Sequence, residues 1–299
     1  MKFSVLINNY NYARFLPETL ASVAAQTHAP HEIIVVDDGS QDDSLAVLES
    51  LRATTPGLRI HAQPNGGQLS AMRAGIDLAT GDCCAFLDAD DTWEPDHLAT
   101  AARALSASPE AGVYYSGHLE TSGPAVFRSK WPAGIGGPFP ALVSATGVRI
   151  GTITSTIILR KDRADALSRQ VADLEADWRI RADDVLLFGA AFGSALFLHE
   201  PRPTVRYRIH GGNSYAHGDH AAKEAAYRAR LAGLFDRFRR DAGIEPAKHF
   251  ELLVREFNAT PSERRSPEAL RRYRRAIRRA PAPLSQRLAA FVRTYFNAR

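Results

Sequence analysis

The first 120 residues or so alternate between two kinds of segment, and this alternation constrains the fold more than any other feature. Short runs rich in β-branched and other apolar side chains predict strands at residues 3–7, 32–36, 58–62, 83–87 and 112–115. Apolar side chains recur with helical spacing at residues 17–26, 43–51, 68–79 and 95–105. Strand–helix–strand units of this kind predict an α/β fold with a mostly parallel sheet and helices on both faces.

Polar residues or glycines follow each of the first four predicted strands. They are Asn8 and Tyr10 after the first, Asp37 and Asp38 after the second, Asn65, Gly66 and Gly67 after the third, and Asp88, Asp90 and Asp91 after the fourth. Ligands of open α/β sheets bind beyond the carboxyl ends of the strands. The sequence therefore predicts a binding site at this edge of the sheet.

The acidic run that contains Asp88, Asp90 and Asp91 is the most informative part of that edge. Three carboxylates at one strand end repel one another unless a cation lies among them. Oxygen ligands suit Mg²⁺ or Mn²⁺, which usually bind through one or two carboxylates together with substrate phosphates. The alternative is an acidic strand-to-helix turn in which Asp91 or Thr92 caps the helix.

Two glycine-containing turns complete the predicted edge. In the turn at Asp37 and Asp38, a carboxylate can accept a hydrogen bond from a nucleotide base or a ribose hydroxyl, although a simple turn into a helix explains it equally well. Gly66 and Gly67 open a helix whose backbone N–H groups can face a phosphate, with Arg73 adding positive charge. A plain turn and a surface arginine remain the alternative.

Residues 1–215 resemble the family 2 glycosyltransferases of the GT-A fold. The matching blocks, in order, are S-V-L-I-N-N-Y-N-Y, S-V-A-A-Q-T with E-I-I-V-V-D-D-G-S, N-G-G-Q-L-S-A-M-R-A-G-I and F-L-D-A-D-D-T-W-x-P-D-H-L. The resemblance implies that Asn8 and Tyr10 frame the nucleotide base and that Asp38 contacts it, with Asp37 nearby. It implies a metal site at Asp88 and Asp90, and places Asp91 against the donor sugar or the metal.

Two further segments fit this family. The acidic pair Asp183-Asp184 opens a predicted helix, and the resemblance implies that Asp184 is the general base; the alternative is capping of that helix. The segment Tyr207-Arg208-Ile209-His210 resembles the family's Y-R-x-H, in which the histidine completes the metal site; the alternative is a structural histidine. The chain departs from the family in lacking an arginine downstream of the acidic pair and the Q-x-x-R-W motif of processive synthases, which indicates addition of a single sugar.

The resemblance implies an inverting, Mn²⁺- or Mg²⁺-dependent transfer of sugar from a nucleoside diphosphate sugar, a UDP-sugar first, to an acceptor hydroxyl. A glycan or lipid-linked acceptor in bacterial surface polysaccharide or glycolipid biosynthesis is expected by analogy. A nucleotidyltransferase of similar fold would show a glycine-rich, basic loop after the first strand, where this chain has Asn8-Asn9-Tyr10-Asn11. A non-catalytic nucleotide-sugar-binding protein is the remaining alternative.

Charge divides the chain. Residues 220–299 hold 19 Lys/Arg and 8 Asp/Glu, a net charge of +11, whereas the remainder holds 18 and 25, a net charge of −7. We therefore expect a catalytic domain at 1–219, with a nucleotide-sugar-binding half (1–118) and an acceptor-side half (119–219), and a basic helical extension at 220–299.

Helical patterns in the extension cover residues 222–241 and 264–279, and an apolar stripe follows Pro283. The extension suits an anionic membrane surface, but packing on the catalytic domain or dimerisation explains it as well. No nucleic-acid recognition motif accompanies its charge. Apolar runs are too short for a signal peptide or a membrane span, so the sequence predicts a cytoplasmic protein, with peripheral contact at the inner face of the cell membrane as one role for the extension.

Overall fold

The computed structural model describes residues 1–121, 126–127, 134–136, 153–193, 195–211, 220–243 and 267–279, together with Arg287 and Ala290.

Residues 1–118 contain the predicted strand–helix alternation. The elements are β1 (Phe3–Asn9), α1 (Leu16–Ala24), β2 (Glu32–Asp37), α2 (Ser44–Leu51), β3 (Leu58–Ala62), α3 (Gln68–Leu78) and β4 (Cys83–Asp88). The four strands lie in the order β3-β2-β1-β4 and all pair in parallel. Their carboxyl ends therefore meet at one edge, as the sequence predicts.

The second half extends the same sheet. Its strands are β5 (Thr92–Trp93), β6 (Ala111–Glu120), β7 (Val126–Phe127), β8 (Gly134–Gly136), β9 (Ile157–Arg160) and β10 (Leu196–Tyr207). Its helices are α4 (His97–Ala107), α5 (Lys161–Gln170) and α6 (Ala182–Phe192), with 3₁₀ turns at Thr154–Thr156 and Ala172–Leu174. The order continues β4-β9-β6-β10-β5, with β9 antiparallel to both of its neighbours and β10 parallel to β6.

The second half mixes parallel and antiparallel pairing. The sheet is mostly parallel, as predicted, although β9, β5, β7 and β8 all pair antiparallel. Strand β10 runs from Leu196 to Tyr207, because β6 offers it a pairing partner along its whole length. The segment from Thr121 to residue 150 contains β7 and β8; its other residues after Thr121 lie outside the described ranges.

Apolar side chains cover both faces of the sheet. In β1, Leu6 packs into one core cluster, whereas Val5 and Ile7 pack into the cluster on the opposite face. Successive side chains of a strand point to opposite faces, so a strand that is apolar throughout must be covered on both sides. The sheet is thus rigidly held between helices, and its carboxyl edge is a fixed platform for a site.

Two helices of the basic region are described, α7 (His220–Asp241) and α8 (Pro267–Arg279). One face of α7, formed by Tyr227, Leu231, Leu234 and Phe238, is buried in the same core cluster as α6 and the sheet. Helix α7 therefore shares a core with residues on the other side of the boundary predicted at residue 219.

Helix α8 buries its apolar face and exposes arginines. Leu270, Tyr273, Ala276 and Ile277 are buried, whereas Arg271, Arg275 and Arg278 are exposed. The apolar stripe predicted after Pro283 lies outside the described residues, apart from Arg287 and Ala290. Within the described parts of the chain, no helix combines the length and apolar character that a bilayer span requires.

Candidate active site

A cavity of about 400 Å³ opens at the carboxyl edge of the sheet. The ends of β1 and β4 and the segments that begin α3 and α6 form its walls. The polar side chains that line it are Asn8, Asn9, Tyr10, Tyr12, Asp38, Asn65, Gln68, Asp88, Asp90, Thr154, Arg179, Arg181, Asp183 and Tyr207. Five residues predicted from sequence, namely Asn8, Tyr10, Asp38, Asp88 and Asp90, therefore reach one cleft, and Gly67 lines it as well.

Asp88 lies on the cleft wall and is held by amide groups. Asn8 Nδ2 donates to Asp88 Oδ1 at 2.9 Å, and Gln68 Nε2 approaches the same oxygen at 3.3 Å. Gln68 also accepts a hydrogen bond from the backbone N–H of Ala182, at the start of α6, at 3.0 Å. One side chain thus joins the acidic wall at β4 to the helix that carries Asp183 and Asp184.

Asp90 pairs with a histidine that lies 120 residues further along the chain. Nε2 of His210 lies 2.9 Å from Oδ2 of Asp90. The rings of Tyr12 and Phe15 pack on the imidazole, with ring centroids at 5.7 and 4.7 Å. His210 therefore stands beside the acidic group in a fixed orientation.

The acidic group, formed by the carboxylates of Asp88, Asp90 and Asp91, has raised pKa values. Burial, followed by the charge of Asp90, raises the pKa of Asp88 to about 6. Burial also raises the pKa of Asp90, although the hydrogen bond from His210 lowers it. Burial, with the charges of Asp90 and Asp88, raises the pKa of Asp91 well above its ordinary value. These carboxylates disfavour one another's charge, so a bound cation would offset a real cost.

The residues present fit a divalent metal that shares its coordination with a substrate. Among the described residues, no three His, Cys, Asp or Glu side chains are grouped to hold an ion by themselves. A metal that takes phosphate oxygens from a nucleotide needs only one or two protein ligands. Asp90 Oδ2 and His210 Nε2 offer an oxygen and a nitrogen at adjacent positions, with Asp88 on the same wall.

Asp91 does not face the cleft, contrary to expectation. Its side chain is fully buried, Ser155 Oγ donates to its Oδ2 at 2.5 Å, and the backbone N–H of Arg208 donates to its Oδ1 at 2.9 Å. Both oxygens are occupied because the 3₁₀ turn and the end of β10 converge on it. Asp91 therefore holds in place the segment that carries His210. It does not line the cavity, where a donor sugar was expected to contact it.

The backbone N–H groups of the two glycines at the start of α3 donate hydrogen bonds to a carboxylate of the protein. The N–H groups of Gly66 and Gly67 donate to Oδ1 and Oδ2 of Asp38 at 2.8 and 2.7 Å. The next N–H, that of Gln68, donates to the carbonyl of Arg179 at 2.9 Å. Asp38 thus caps this helix across 28 residues of chain and occupies the two glycine N–H groups. Phosphate binding by Gly66 and Gly67 stays a prediction.

Asp37 and Arg73 also lie away from the cavity. Asp37 is fully buried, and its oxygens accept from Asn9 Nδ2 at 2.7 Å and the Ser40 N–H at 3.0 Å. Arg73 forms an ion pair with Glu175 and donates to the carbonyl of Ser168 at 2.8 Å. Neither contacts the cleft, because each has partners elsewhere in the fold that its local sequence does not reveal.

The two members of the acidic pair on α6 face different directions. Asp183 lines the cleft. Asp184 is 3% exposed, and the hydroxyl of Tyr227 donates to its Oδ2 at 2.6 Å. Asp184 does not line this cavity, because α7 packs against that side of α6, and the cleft-facing carboxylate of the pair is Asp183. The role of Asp184 as general base stays a prediction.

Sequence reasoning missed several cleft residues that come from segments without a motif. Arg179 and Arg181 precede α6, and Tyr12 and Tyr207 flank the acidic group. Burial, with the nearby charge of the acidic group, raises the pKa of both tyrosines, so their hydroxyls stay protonated donors. The signal available in the sequence was the Y-R-x-H segment, which begins at Tyr207, whereas nothing marked Arg179.

Comparison with known proteins gives a consistent family. The model of the family described as "Glycosyl transferase family 2" matches residues 4–165. An uncharacterized glycosyltransferase of Nostoc sp. is 34% identical over 274 residues, which cover 85% of this chain and 76% of that protein. A PGL/p-HBAD biosynthesis glycosyltransferase of Mycobacterium bovis is 38% identical over 116 residues, 38% of this chain and 45% of that protein.

Solved structures share the fold. Two structures of S. aureus TarS, in complex with UDP and with UDP-GlcNAc, superpose with a TM-score of 0.61 at 19% and 20% sequence identity. Each superposition covers 99% of this chain and 89% of that chain. The predicted α/β architecture of the GT-A type is thereby confirmed.

Proposed function

This chain belongs to glycosyl transferase family 2, and from that premise we propose that its cleft binds a nucleoside diphosphate sugar and transfers the sugar to an acceptor hydroxyl with inversion. The observation that carries the proposal is the composition of the cleft. An acidic wall with an adjacent histidine, formed by Asp88, Asp90 and His210, and a carboxylate from α6, Asp183, belong to one site. Nucleotide-sugar chemistry needs a group to neutralise a leaving diphosphate and a base to activate an acceptor.

UDP is the nucleotide we propose for the donor. Tyr10 is 44% exposed at the mouth of the cleft, so its ring is available to stack on a base. Asp38 lies on the same wall and keeps lone pairs beside its contacts with the Gly66 and Gly67 N–H groups. TarS is a protein of the same fold, and its complexes with UDP and UDP-GlcNAc support the choice of UDP.

Mn²⁺ or Mg²⁺ is the metal that we propose for the acidic wall. Asp90 and His210 would hold it, with Asp88 beside them. When bound, such an ion acts as a Lewis acid that neutralises charge on the diphosphate. The protein's own part is to hold His210 against Tyr12 and Phe15, and Asp88 against Asn8, so that the ligands are oriented before the donor arrives.

Asp183 is the base we propose in place of Asp184. The acceptor oxygen forms a bond to the anomeric carbon, the bond from that carbon to the phosphate oxygen breaks, and the hydroxyl proton passes to the Asp183 carboxylate. The electron pair of the broken bond leaves with the nucleoside diphosphate. Attack from the face opposite the leaving group inverts the anomeric centre, and no second carboxylate is required as a nucleophile.

The acceptor we propose is a glycan or a lipid-linked precursor, as in surface polysaccharide or glycolipid biosynthesis. The relative from M. bovis is described as a biosynthetic glycosyltransferase of PGL/p-HBAD, which supports the class. Helix α8 turns its apolar side chains inward, so any membrane contact would use its exposed arginines and depend on anionic headgroups. Pelleting with phosphatidylglycerol but not phosphatidylcholine vesicles, lost at high salt, is the expected result; equal pelleting with both would contradict it.

A nucleotide panel tests the proposed donor site. UDP, GDP, dTDP and their sugars are titrated by thermal shift with and without Mn²⁺, and turnover is followed as nucleoside diphosphate release. A shift that requires both UDP and Mn²⁺ and disappears in Asp90→Ala supports the proposal. If only GDP or dTDP gives a Mn²⁺-dependent shift, that nucleotide takes the place of UDP in the proposed donor. No shift for any nucleotide would overturn the donor site.

A further inference from the structure

Helix α7 reaches the acidic pair of the cleft although it lies beyond the residues matched by the family model. The hydroxyl of Tyr227 donates to Asp184 Oδ2 at 2.6 Å, and the tyrosine side chain is 4% exposed. A buried hydrogen bond to a carboxylate fixes both partners closely. Asp184 is therefore oriented by a residue of α7 and not by its own helix alone.

The ring of the same tyrosine holds a second cleft residue. The guanidinium carbon of Arg181 lies 3.6 Å from the centroid of the Tyr227 ring, which is cation–π geometry. Arg181 lines the cleft and adopts a left-handed backbone conformation, with φ of 63°. An arginine in this conformation is strained unless its surroundings hold it there. One side chain of α7 thus contacts both Arg181 and Asp184, which lie two residues before and one residue after Asp183.

Helix α7 is itself held firmly against α6. The rings of Phe188 and Phe235 meet edge to face at 4.7 Å, and those of Phe192 and Phe238 stack at 6.0 Å. A Cβ atom at Gly189 would lie 3.0 Å from the Phe238 ring and closer still to a leucine of α5, so the glycine permits this approach. The position of Tyr227 is therefore set by packing along the whole interface.

Helical geometry lets the hydrogen bond between Tyr227 and Asp184 set the direction in which Asp183 points. Successive residues of an α-helix are rotated by about 100° from one another. When Asp184 is turned toward α7, its neighbour Asp183 is turned away from α7 and into the cavity. A change at Tyr227 that releases Asp184 would let the first turn of α6 rotate and would misdirect Asp183.

We propose that Tyr227 is a positioning residue for the transfer reaction, which through Asp184 and Arg181 directs Asp183 at the acceptor oxygen. The inference rests on the proposed function and adds α7 to the catalytic unit. It assigns the hydroxyl and the ring of Tyr227 separate tasks: the hydroxyl holds Asp184, and the ring holds Arg181.

Variants of Tyr227 separate these tasks. Tyr227→Phe keeps the ring on Arg181 and most of the packing but removes the hydroxyl, whereas Tyr227→Leu removes both. Arg237→Gln is the matched control on α7, because Arg237 pairs with Asp173 on the outer surface and has no contact with the acidic pair. Nucleoside diphosphate release is measured with Mn²⁺ and the nucleotide sugar that wild type turns over, and the melting temperature is measured in parallel.

The expected result for Tyr227→Phe is a kcat about tenfold lower, with the donor KM within twofold of wild type and a nearly unchanged melting temperature. Tyr227→Leu should lower kcat further, and Arg237→Gln should keep wild-type kcat. In a double-mutant cycle, Asp184→Ala and Tyr227→Phe should be non-additive, because one acts through the other. Additive effects would indicate a purely structural tyrosine and overturn the inference.

Two outcomes distinguish this inference from the proposed function. Wild-type turnover together with full kcat in Tyr227→Phe would overturn the role of the tyrosine and leave the proposed function standing. A wild-type protein that neither binds a nucleotide with Mn²⁺ nor releases it from a sugar would overturn the proposed function, and the inference with it.

Discussion

The imidazole Nε2 of His210 lies 2.9 Å from Oδ2 of Asp90, although 120 residues of chain separate them. Asp91, beside Asp90, accepts a hydrogen bond from the backbone of Arg208 at 2.9 Å and so ties the end of β10 to the end of β4. This link brings a nitrogen ligand to an oxygen ligand at the cleft. The pair is the physical basis of the metal site that we propose.

Removing either member of this pair should weaken metal-dependent nucleotide binding. His210→Ala and Asp90→Ala are each expected to lower the affinity for UDP in the presence of Mn²⁺ by about tenfold or more, since even outer-shell changes cost about 10–100-fold. Titration calorimetry with and without Mn²⁺ measures this. His31→Ala, an exposed histidine on the opposite end of the parallel strands, is the control. Wild-type affinity in His210→Ala would assign the histidine a structural role.

The two carboxylates of α6 should respond differently to neutralisation. Asp183→Asn is expected to lower turnover by about 10²–10⁴-fold, because a positioned general base contributes that much. Asp184→Asn should stay within about tenfold of wild type, since its amide oxygen still accepts from Tyr227. Steady-state kinetics with the active nucleotide sugar compares them. The reverse order would return the role of base to Asp184.

The acidic wall should make the stability of the metal-free protein depend on pH. Burial and the charge of Asp90 raise the pKa of Asp88 to about 6, above its ordinary value of 3.8. The folded state therefore binds more protons than the unfolded state in this window, so the contribution of Asp88 to stability falls as pH rises from about 4 to about 6. A shift of about two units corresponds to roughly 3 kcal/mol.

Asp88→Asn tests that sign. Its amide cannot ionise but still accepts from Asn8, so the variant should be more stable than wild type at pH 8 and similar to it at pH 4, both with EDTA. Urea unfolding at the two pH values gives the comparison. Equal stability of the two proteins at pH 8 would show that the carboxylate is not destabilised by its surroundings.

The turn that opens α3 should tolerate a side chain at one glycine better than at the next. Gly67 has φ of 91°, and a Cβ atom there would lie 2.5 Å from the Cα of Arg179, which is backbone. We expect Gly67→Ala to cost about 3 kcal/mol and to displace the irregular segment that contains Arg179. Denaturant unfolding measures the cost.

Gly66→Ala is the matched comparison. A Cβ atom at Gly66 would lie 2.5 Å from Oγ and 2.7 Å from Cβ of Ser70, so Ser70 would have to shift, but Gly66 lacks the positive φ that adds backbone strain at Gly67. Its cost should be smaller by at least about 1 kcal/mol. Equal costs at the two positions would contradict the close approach of Arg179 to this turn.

Local patterns were sufficient for the framework. Leu6 and Val5 face opposite core clusters because successive side chains of a strand point to opposite faces. The continuous apolar run in this part of the sequence therefore predicts a strand that is covered on both sides. The parallel order of the first four strands then brings Asn8, Tyr10, Asp38, Asp88 and Asp90 to one edge. Fold class, the edge that carries the cleft and these five cleft residues could therefore be predicted from sequence.

Hydrogen-bond and ion-pair partners that lie far apart in the chain could not be predicted from sequence. Gly66 and Gly67 donate to Asp38, Arg73 pairs with Glu175, and Asp184 accepts from Tyr227. Each of these side chains or turns looked available for a ligand when judged by its neighbours in sequence. A polar group that the fold buries must find a hydrogen-bond partner, and the partner is whatever remote segment packing brings beside it.

The amino-acid sequence by itself thus determined which strands form, where they end and which residue types collect at that end, because periodicity and strand direction act over a few residues. Only the tertiary structure decided which of those side chains open onto the cleft. Asp183 faces it and Asp184 does not, because α7 packs on one side of α6 and gives Tyr227 to that side alone.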